Sequence, residues 1–250
     1  MGAPGTCRYT LCLLKQTMAQ ASHFSDLTIV VGSGNLHKVE EIAVALGALV
    51  DPEGRRVCVE GKQGLPPGPE PNETGATFQE NSLIKAMGYA ALAMILPPAR
   101  RPRWVLADDS GLSVDALGGA PGVRSARYAG EDASSDDNNR RLLEALWQVP
   151  EGHRGAEFVC VLSLVEIPRD LETSAREVLS AEGRCRGEIL RGQAGTGGFG
   201  YDPLFFVPSL GKTFAQITTE EKNAQSHRGK ALQRFRSGLE EILKRLSEES

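Results

Sequence analysis

Two rhythms of apolar and polar residues alternate along the chain. Residues 27–32, Leu27-Thr-Ile-Val-Val-Gly32, are short and β-branched, as a buried strand requires. Val39, Ile42, Ala43 and Leu46 then recur at helical spacing and predict an amphipathic helix that Gly47 ends. Residues 57–60 read as a second short strand. Residues 61–71 carry Pro66, Pro67, Pro69 and Pro71 and predict an irregular, exposed tongue. Thr77-Phe-Gln-Glu80 is a capping box that starts a helix to about Leu96, with Phe78, Ile84, Met87 and Ala91 expected on its buried face. Pro97 and Pro98 end it. Residues 104–107 form an apolar run that should be a buried strand ending at two acids, Asp108 and Asp109.

The second half continues the pattern. Ser134 to Asp137 is a capping box for a helix through Trp147, with Leu142, Leu143, Leu146 and Trp147 facing inward. Residues 158–165 read as a long strand, 168–170 as a turn and 178–189 as its hairpin partner. A Gly-rich loop with Phe199 and Tyr201 leads into a buried strand at 204–207. A third capping box begins at Thr218, residues 223–230 interrupt it, and Ser226 is the candidate N-cap of a last helix. That helix carries Leu232, Phe235, Leu239, Ile242, Leu243 and Leu246 at helical spacing. Strands and helices that first alternate and then give way to a hairpin predict an α/β fold with a mixed sheet.

Composition narrows the class. With 40% hydrophobic and 24% charged residues and a net charge of −4, the chain resembles ordinary globular proteins and lacks the basic excess of nucleic-acid binders. The five cysteines are widely spaced without a CxxC pair, which argues against a zinc knuckle or disulfide framework and for a reducing, cytoplasmic setting. No apolar run approaches a membrane span. Residues 1–26 are poor in acids and without periodicity, and are expected to be a flexible extension to residues 27–250, which are long enough for one domain or two closely packed lobes.

The chemistry-bearing residues fall into three groups. Asp108, Asp109 and Glu73 make an acidic centre suited to a hard cation. Ser33-Gly-Asn-Leu-His-Lys38 joins a strand to a helix N-terminus. Free N–H groups and Lys38 there favour phosphate, although an ordinary turn reads the same way and no P-loop pattern is present. His227 and Arg228, beside Lys222, sit at a helix start where the dipole disfavours cations, so a bound anion is the better explanation. Glycines around Phe199 and Tyr201 leave room for a flat ligand. Acids for Mg²⁺, cations for phosphates and aromatics for a base point to a nucleotide phosphohydrolase.

Six segments in this order give the chain a specific resemblance. They are Ser33-Gly-Asn-Leu-His-Lys38, Glu73-Thr-Gly-Ala-Thr-Phe-Gln-Glu-Asn81 with Lys85, and Ala107-Asp-Asp-Ser-Gly-Leu-Ser-Val-Asp-Ala-Leu-Gly-Gly-Ala-Pro-Gly122. Ser125-Ala-Arg-Tyr128, Gly197-Gly-Phe-Gly-Tyr-Asp-Pro203 and Glu221-Lys-Asn-Ala-Gln-Ser-His-Arg-Gly229 complete the set. The sequence resembles the inosine triphosphate pyrophosphatase family in its bacterial dITP/XTP branch. The segments Gly197–Pro203 and Ser226–Gly229 set it apart from the related Maf-like pyrophosphatases.

The resemblance implies an elongated, two-lobed mixed β-sheet flanked by helices, a homodimer, and Mg²⁺ as cofactor with one or more ions per subunit. It implies hydrolysis of ITP, dITP and XTP to the monophosphate and pyrophosphate, a house-cleaning activity without nucleic-acid or membrane partners. By position it makes Asp109 the base and a metal ligand, and Glu73 the other metal carboxylate, with Asp108 and Lys85 supporting. Ser33, Gly34, Asn35, Leu36, His37, Lys38, Ser110 and Lys222 would contact phosphate or sugar. Phe199, Gly200, Tyr201, Asp202, His227 and Arg228 would hold the base. The chain departs from the family pattern at Asn72, where many relatives carry another acid, at His37 in the phosphate turn, and at Arg124.

Overall fold

The computed structural model describes residues 27–170 and 172–248, apart from the side chain of His37. The expectation placed on residues 1–26 lies outside them. The β-branched and apolar runs become strands β1 (Thr28–Val31), β2 (Cys58–Gly61), β3 (Trp104–Val114), β4 (Gly155–Glu166), β5 (Arg176–Ile189), β6 (Phe205–Val207) and β7 (Lys212–Thr213). They form one mixed sheet in the order β2-β1-β3-β4-β5-β6-β7. β1 is parallel to β2 and β3, and every later pairing is antiparallel. Helices α1 (Leu36–Leu46), α2 (Phe78–Met94), α3 (Ser135–Ala145), α4 (Thr219–Gln225) and α5 (His227–Glu248) flank it.

Side-chain alternation along β3 decides where the acids point. Trp104 and Leu106 pack with Ile29, Val31, Ile42, Leu46, Phe235 and Leu239 under α1 and α5. Val105 and Ala107 pack with Val30, Ala86, Tyr89, Ala90 and Ala93 under α2. Asp108 therefore continues the α1/α5 face and Asp109 the α2 face. A third core holds Leu112, Leu142, Leu146, Phe158, Phe205 and Phe214 at the far end of the sheet. β1 pairs with β3 only along 104–106. From Ala107 to Ser110 that edge of β3 has no neighbouring strand among the described residues, and the βα turn after β1 opens onto it; farther along, Ser113 bridges Pro121 and Leu112 N donates to Ser125 Oγ.

Several expectations need correction. The strand does not stop at the acids; it runs through them to Val114, because Leu112 and Val114 re-enter a core. The buried face of α2 is Asn81, Ser82, Ala86, Tyr89, Ala90 and Ala93. Met87 is exposed, and so is Ala91. Small side chains let the helix lie close on the sheet, and the larger apolar residues misdirected the pattern. The 61–71 segment is irregular past Gly64 and exposed at 67–70, as expected, but it is docked rather than free: Leu65 is buried, a Cβ on Gly68 would strike Leu92, and Pro71 packs on Gly88. α3 ends at Ala145 and Trp147 is exposed. The interruption before the last helix shrinks to Ser226, whose backbone is extended. Its hydroxyl accepts from Gly229 N at 3.1 Å, which caps α5.

Candidate active site

The two adjacent acids have opposite environments. Asp108 is buried, and Lys38 Nζ donates to both of its carboxylate oxygens at 3.1 and 2.9 Å. Arg228 Nη2 lies 3.6 Å from the same carboxylate and 3.4 Å from Ser110 Oγ, while Nη1 reaches Glu41 at 3.5 Å. Burial pushes Asp108 up, but the charges of Lys38, Arg228 and Lys85 outweigh it and hold the carboxyl well below the ordinary range. Asp108 is thus a fixed anion that orients two cations.

Asp109 faces α2. Its Oδ1 accepts from Ser110 N at 3.0 Å, and its buried Oδ2 has no hydrogen-bond partner among the described residues. Burial raises its pKa to about 6; Lys85 opposes this, the charge of Glu73 adds to it, and the Asn81 amide opposes it. Asn81 Nδ2 nevertheless lies outside direct hydrogen-bond geometry with any acceptor. Lys85 Nζ bridges the group: 3.0 Å from Glu73 Oε1, 3.0 Å from the Asp108 carbonyl oxygen and 4.0 Å from Asp109 Oδ1. Asn81 Oδ1 accepts from Gly75 N at 2.8 Å, which ties down the loop that carries Glu73.

An unpartnered carboxylate oxygen beside a second carboxylate is the donor chemistry Mg²⁺ uses, since that ion takes one or two carboxylates and keeps waters and phosphate oxygens for the rest. No cluster of three or more His, Cys, Asp or Glu occurs among the described residues, so an all-protein cage is not on offer.

The 33–38 turn is ordered by its own N–H groups. Gly32 N donates to Leu106 O, which docks the turn on β3. Asn35 N donates to Ser33 Oγ, and Asn35 Oδ1 accepts from Lys38 N at 3.4 Å, the position of an N-cap for α1. Gly34, Asn35 and Leu36 are exposed; the side chain of His37 lies outside the described residues.

On the α5 face a cavity of about 610 Å³ is lined by Lys38, Ser110, Phe199, Asp202, Lys222 and Arg228, among others. The Phe199 ring is 61% exposed, with Lys222 Nζ 4.6 Å and the Arg228 guanidinium 5.9 Å from its centroid. Tyr201 and Asp202 are buried instead. Tyr201 Oη donates to Ser125 O at 2.8 Å, while Asp202 accepts from Phe199 N at 2.8 Å and from Lys222. His227 stacks on Phe158 at 4.7 Å, and burial, followed by the Arg228 and Lys222 charges, drives its pKa well below the ordinary value, so it is neutral.

Glu73, Lys85 and Asp109 thus meet on one side of β3, and Lys38, Ser110, Lys222, His227 and Arg228 on the other. Several residues in this assembly carried no distinguishing signal in the sequence. Asn81 closes the segment Glu73–Asn81, but nothing in that pattern gave it a role of its own. Asn139 donates to Gly200 O at 3.0 Å and so supports the aromatic loop from α3. Phe158, the floor under His227, reads as a core strand residue.

The sequence model of the Ham1 family matches residues 29–238. A protein named dITP/XTP pyrophosphatase from Shigella flexneri is 47% identical over 204 residues, 82% of this chain and 93% of that protein. Another of that name, from Clostridium perfringens (strain 13 / Type A), is 43% identical over 215 residues, covering 86% and 98%. The solved structure of a HAM1 protein from Coxiella burnetii superposes with a TM-score of 0.72 at 38% identity, over 86% of this chain and 99% of that one.

Proposed function

The chain belongs to the Ham1 family, and on that premise we propose that it hydrolyses non-canonical purine nucleoside triphosphates, ITP, dITP and XTP, to the monophosphate and pyrophosphate. The observation that carries this reading is the division of labour between neighbouring acids on the open edge of β3. Asp108 is locked to cations, while Asp109 keeps a bare oxygen beside Glu73 and Lys85. Before a cation binds, burial and the charge of Glu73 raise the Asp109 carboxyl above an ordinary aspartate, which favours proton acceptance there.

In this mechanism the base enters the cavity beside Phe199, and the phosphates cross the open edge of β3 beneath the 33–38 turn. Asp109 Oδ2 accepts the proton of the water that attacks the α–β anhydride. The new oxygen–phosphorus bond forms as the bridging bond breaks and pyrophosphate departs. Lys38 and the turn's N–H groups hold phosphate oxygens, with Ser110 and Lys222 at phosphate or sugar. Lys85 keeps Glu73 and Asp109 in place. Glu73 and Asp109 would hold Mg²⁺, one or more ions per subunit, which when bound offsets charge on the departing group. Arg228 and N–H groups of the 198–201 loop other than Phe199 would donate to a purine 6-oxo group. An adenine amino group would leave those donors unpaired, which favours rejection of ATP. Tyr201 and Asp202 shape the base loop from beneath rather than stacking.

Residues 27–250 act as one two-lobed unit, as a homodimer in the cytoplasm, without nucleic acid or membrane; among the described residues no helix is long and apolar enough to cross one. Pyrophosphate release from ITP, XTP, dTTP and ATP, with and without Mg²⁺, tests the activity. Release from ITP and XTP is expected, and its absence from both would sink the reading. Light scattering tests the dimer, which a monomeric mass refutes.

A further inference from the structure

Lys62 belongs to none of the segments that carry the family resemblance, yet the topology brings it to the site. β2 and β3 both run parallel to β1, with Gly61 and Leu106 each level with Val31. Lys62 and the 33–38 turn therefore emerge side by side at the carboxyl ends of β2 and β1, beside the stretch of β3 that carries Asp108 and runs on past them, the side from which such sheets receive ligands. Lys62 Nζ lies 3.7 Å from where a Cβ on Gly34 would stand. It reaches the turn from the β2 side, whereas Lys38 and Asp108 stand on the β3 side.

The ammonium is held ready rather than buried in an ion pair. Its partners are the Glu70 carboxylate and, at 3.3 Å, Tyr89 Oη; the Tyr89 ring centroid is 5.4 Å away. Tyr89 also bonds Glu70 through its hydroxyl, and its ring occupies the space that a side chain on Gly32 would need. It lies one helical turn beyond Lys85, so α2 presents both residues to the same edge. The Glu70 side chain is 70% exposed. The Lys62 side chain is 26% exposed, but water reaches the pair from the carboxylate side and screens it, so another anion can take the place of Glu70. Through Tyr89, Lys62 stands on the α2 side of the sheet, the side of Lys85 and the acidic centre, across from the base cavity on the α5 face, so a triphosphate chain that crosses the edge of β3 would run toward it.

We propose that Lys62 is a phosphate-binding residue for the pyrophosphate end of the substrate, and that Glu70 is its resident counter-ion, displaced when the substrate's terminal phosphates arrive. This rests on the reading of the chain as a triphosphate pyrophosphatase. It gives the segment 61–71 a role in substrate binding as well as in packing.

The test compares the wild type with Lys62→Met, Lys62→Arg and Glu70→Gln. Inhibition constants for inorganic pyrophosphate and for IMP are measured alongside KM and kcat for ITP. Lys62→Met should raise KM for ITP and the pyrophosphate constant about tenfold, the loss of one charge-assisted contact, and leave the IMP constant within about twofold. Lys62→Arg should restore most of the loss. Glu70→Gln should tighten pyrophosphate a few fold. An unchanged pyrophosphate constant in Lys62→Met overturns the assignment even while the wild type hydrolyses ITP, and an unchanged one in Glu70→Gln overturns the counter-ion role. If the wild type releases no pyrophosphate from ITP, the function fails instead. Calorimetric titration of inorganic pyrophosphate into wild type and Lys62→Met then still decides what Lys62 binds, with equal affinities overturning it.

Discussion

Gly183 on β5 sets how closely the start of α5 can approach the sheet, and with it the position of His227 and Arg228. A Cβ at residue 183 would land on the His227 carbonyl oxygen and the Ala231 amide nitrogen, and 3.0 Å from Ala231 Cα. Carbon atoms settle at about 3.5–4.0 Å, and all three obstacles are backbone, so Gly183→Ala must lift the first turn of α5 by roughly an ångström. Overpacking of this kind costs about 1–3 kcal/mol. For a chain of this size that is a drop in Tm of roughly 2–12 °C. The functional loss should be larger in proportion, because a displacement of about 1 Å at a positioning group can lower kcat/KM about a hundredfold. Gly238→Ala on the same helix is the control: the added Cβ meets the Leu179 side chain, whose end can turn away, and a mid-helix alanine gains up to about 1 kcal/mol of propensity. Thermal melts and pyrophosphate release from ITP should separate the two variants. If Gly183→Ala keeps both the Tm and kcat/KM of Gly238→Ala, close approach of α5 at residue 183 does not position the site.

Other consequences follow from the same geometry. Asp109→Asn should lower kcat about a thousandfold while calorimetry still records ITP binding; retained turnover removes the proton-acceptor role. Tyr201→Phe deletes the bond to Ser125 O, about 1 kcal/mol, and should raise KM for ITP more than it changes kcat, since the base loop loosens; an unchanged KM would show that the loop is held elsewhere. His227 is neutral in the fold and its pKa is depressed, so the unfolded chain takes up the proton first as pH falls. Its contribution lowers stability below about pH 6.5 by up to about 1.4 kcal/mol per unit. Asp109, raised in the fold, acts in the opposite sense, so the comparison is with His227→Phe. Urea unfolding at pH 7.5 and 5.5 should show a smaller loss in that variant, and equal losses would contradict a buried neutral imidazole.

Much of the architecture is legible because strand and helix signals are local. The β-branched run at 27–32, the capping boxes at Thr77, Ser134 and Thr218, and the long apolar strand facing its hairpin partner all become the expected elements. The errors share a cause: they concern which surface is covered by something distant. The buried face of α2 depends on how near the helix lies to the sheet, and the path of 61–71 depends on grooves along α2. Neither depends on the spacing of large apolar residues.

By itself the sequence determined that this is an α/β chain with a mixed sheet, and it singled out polar segments that the fold brings together. Those properties depend on residues near one another along the backbone. Tertiary structure alone decided that Asp108 and Asp109, adjacent in sequence, answer to different partners, because a pleated strand turns successive side chains to opposite faces and different helices cover those faces. It also decided that Tyr201 supports the loop while Phe199 is exposed to solvent, and that Lys62 stands at the 33–38 turn. Such facts depend on distances between segments far apart in the chain, which the local pattern does not encode.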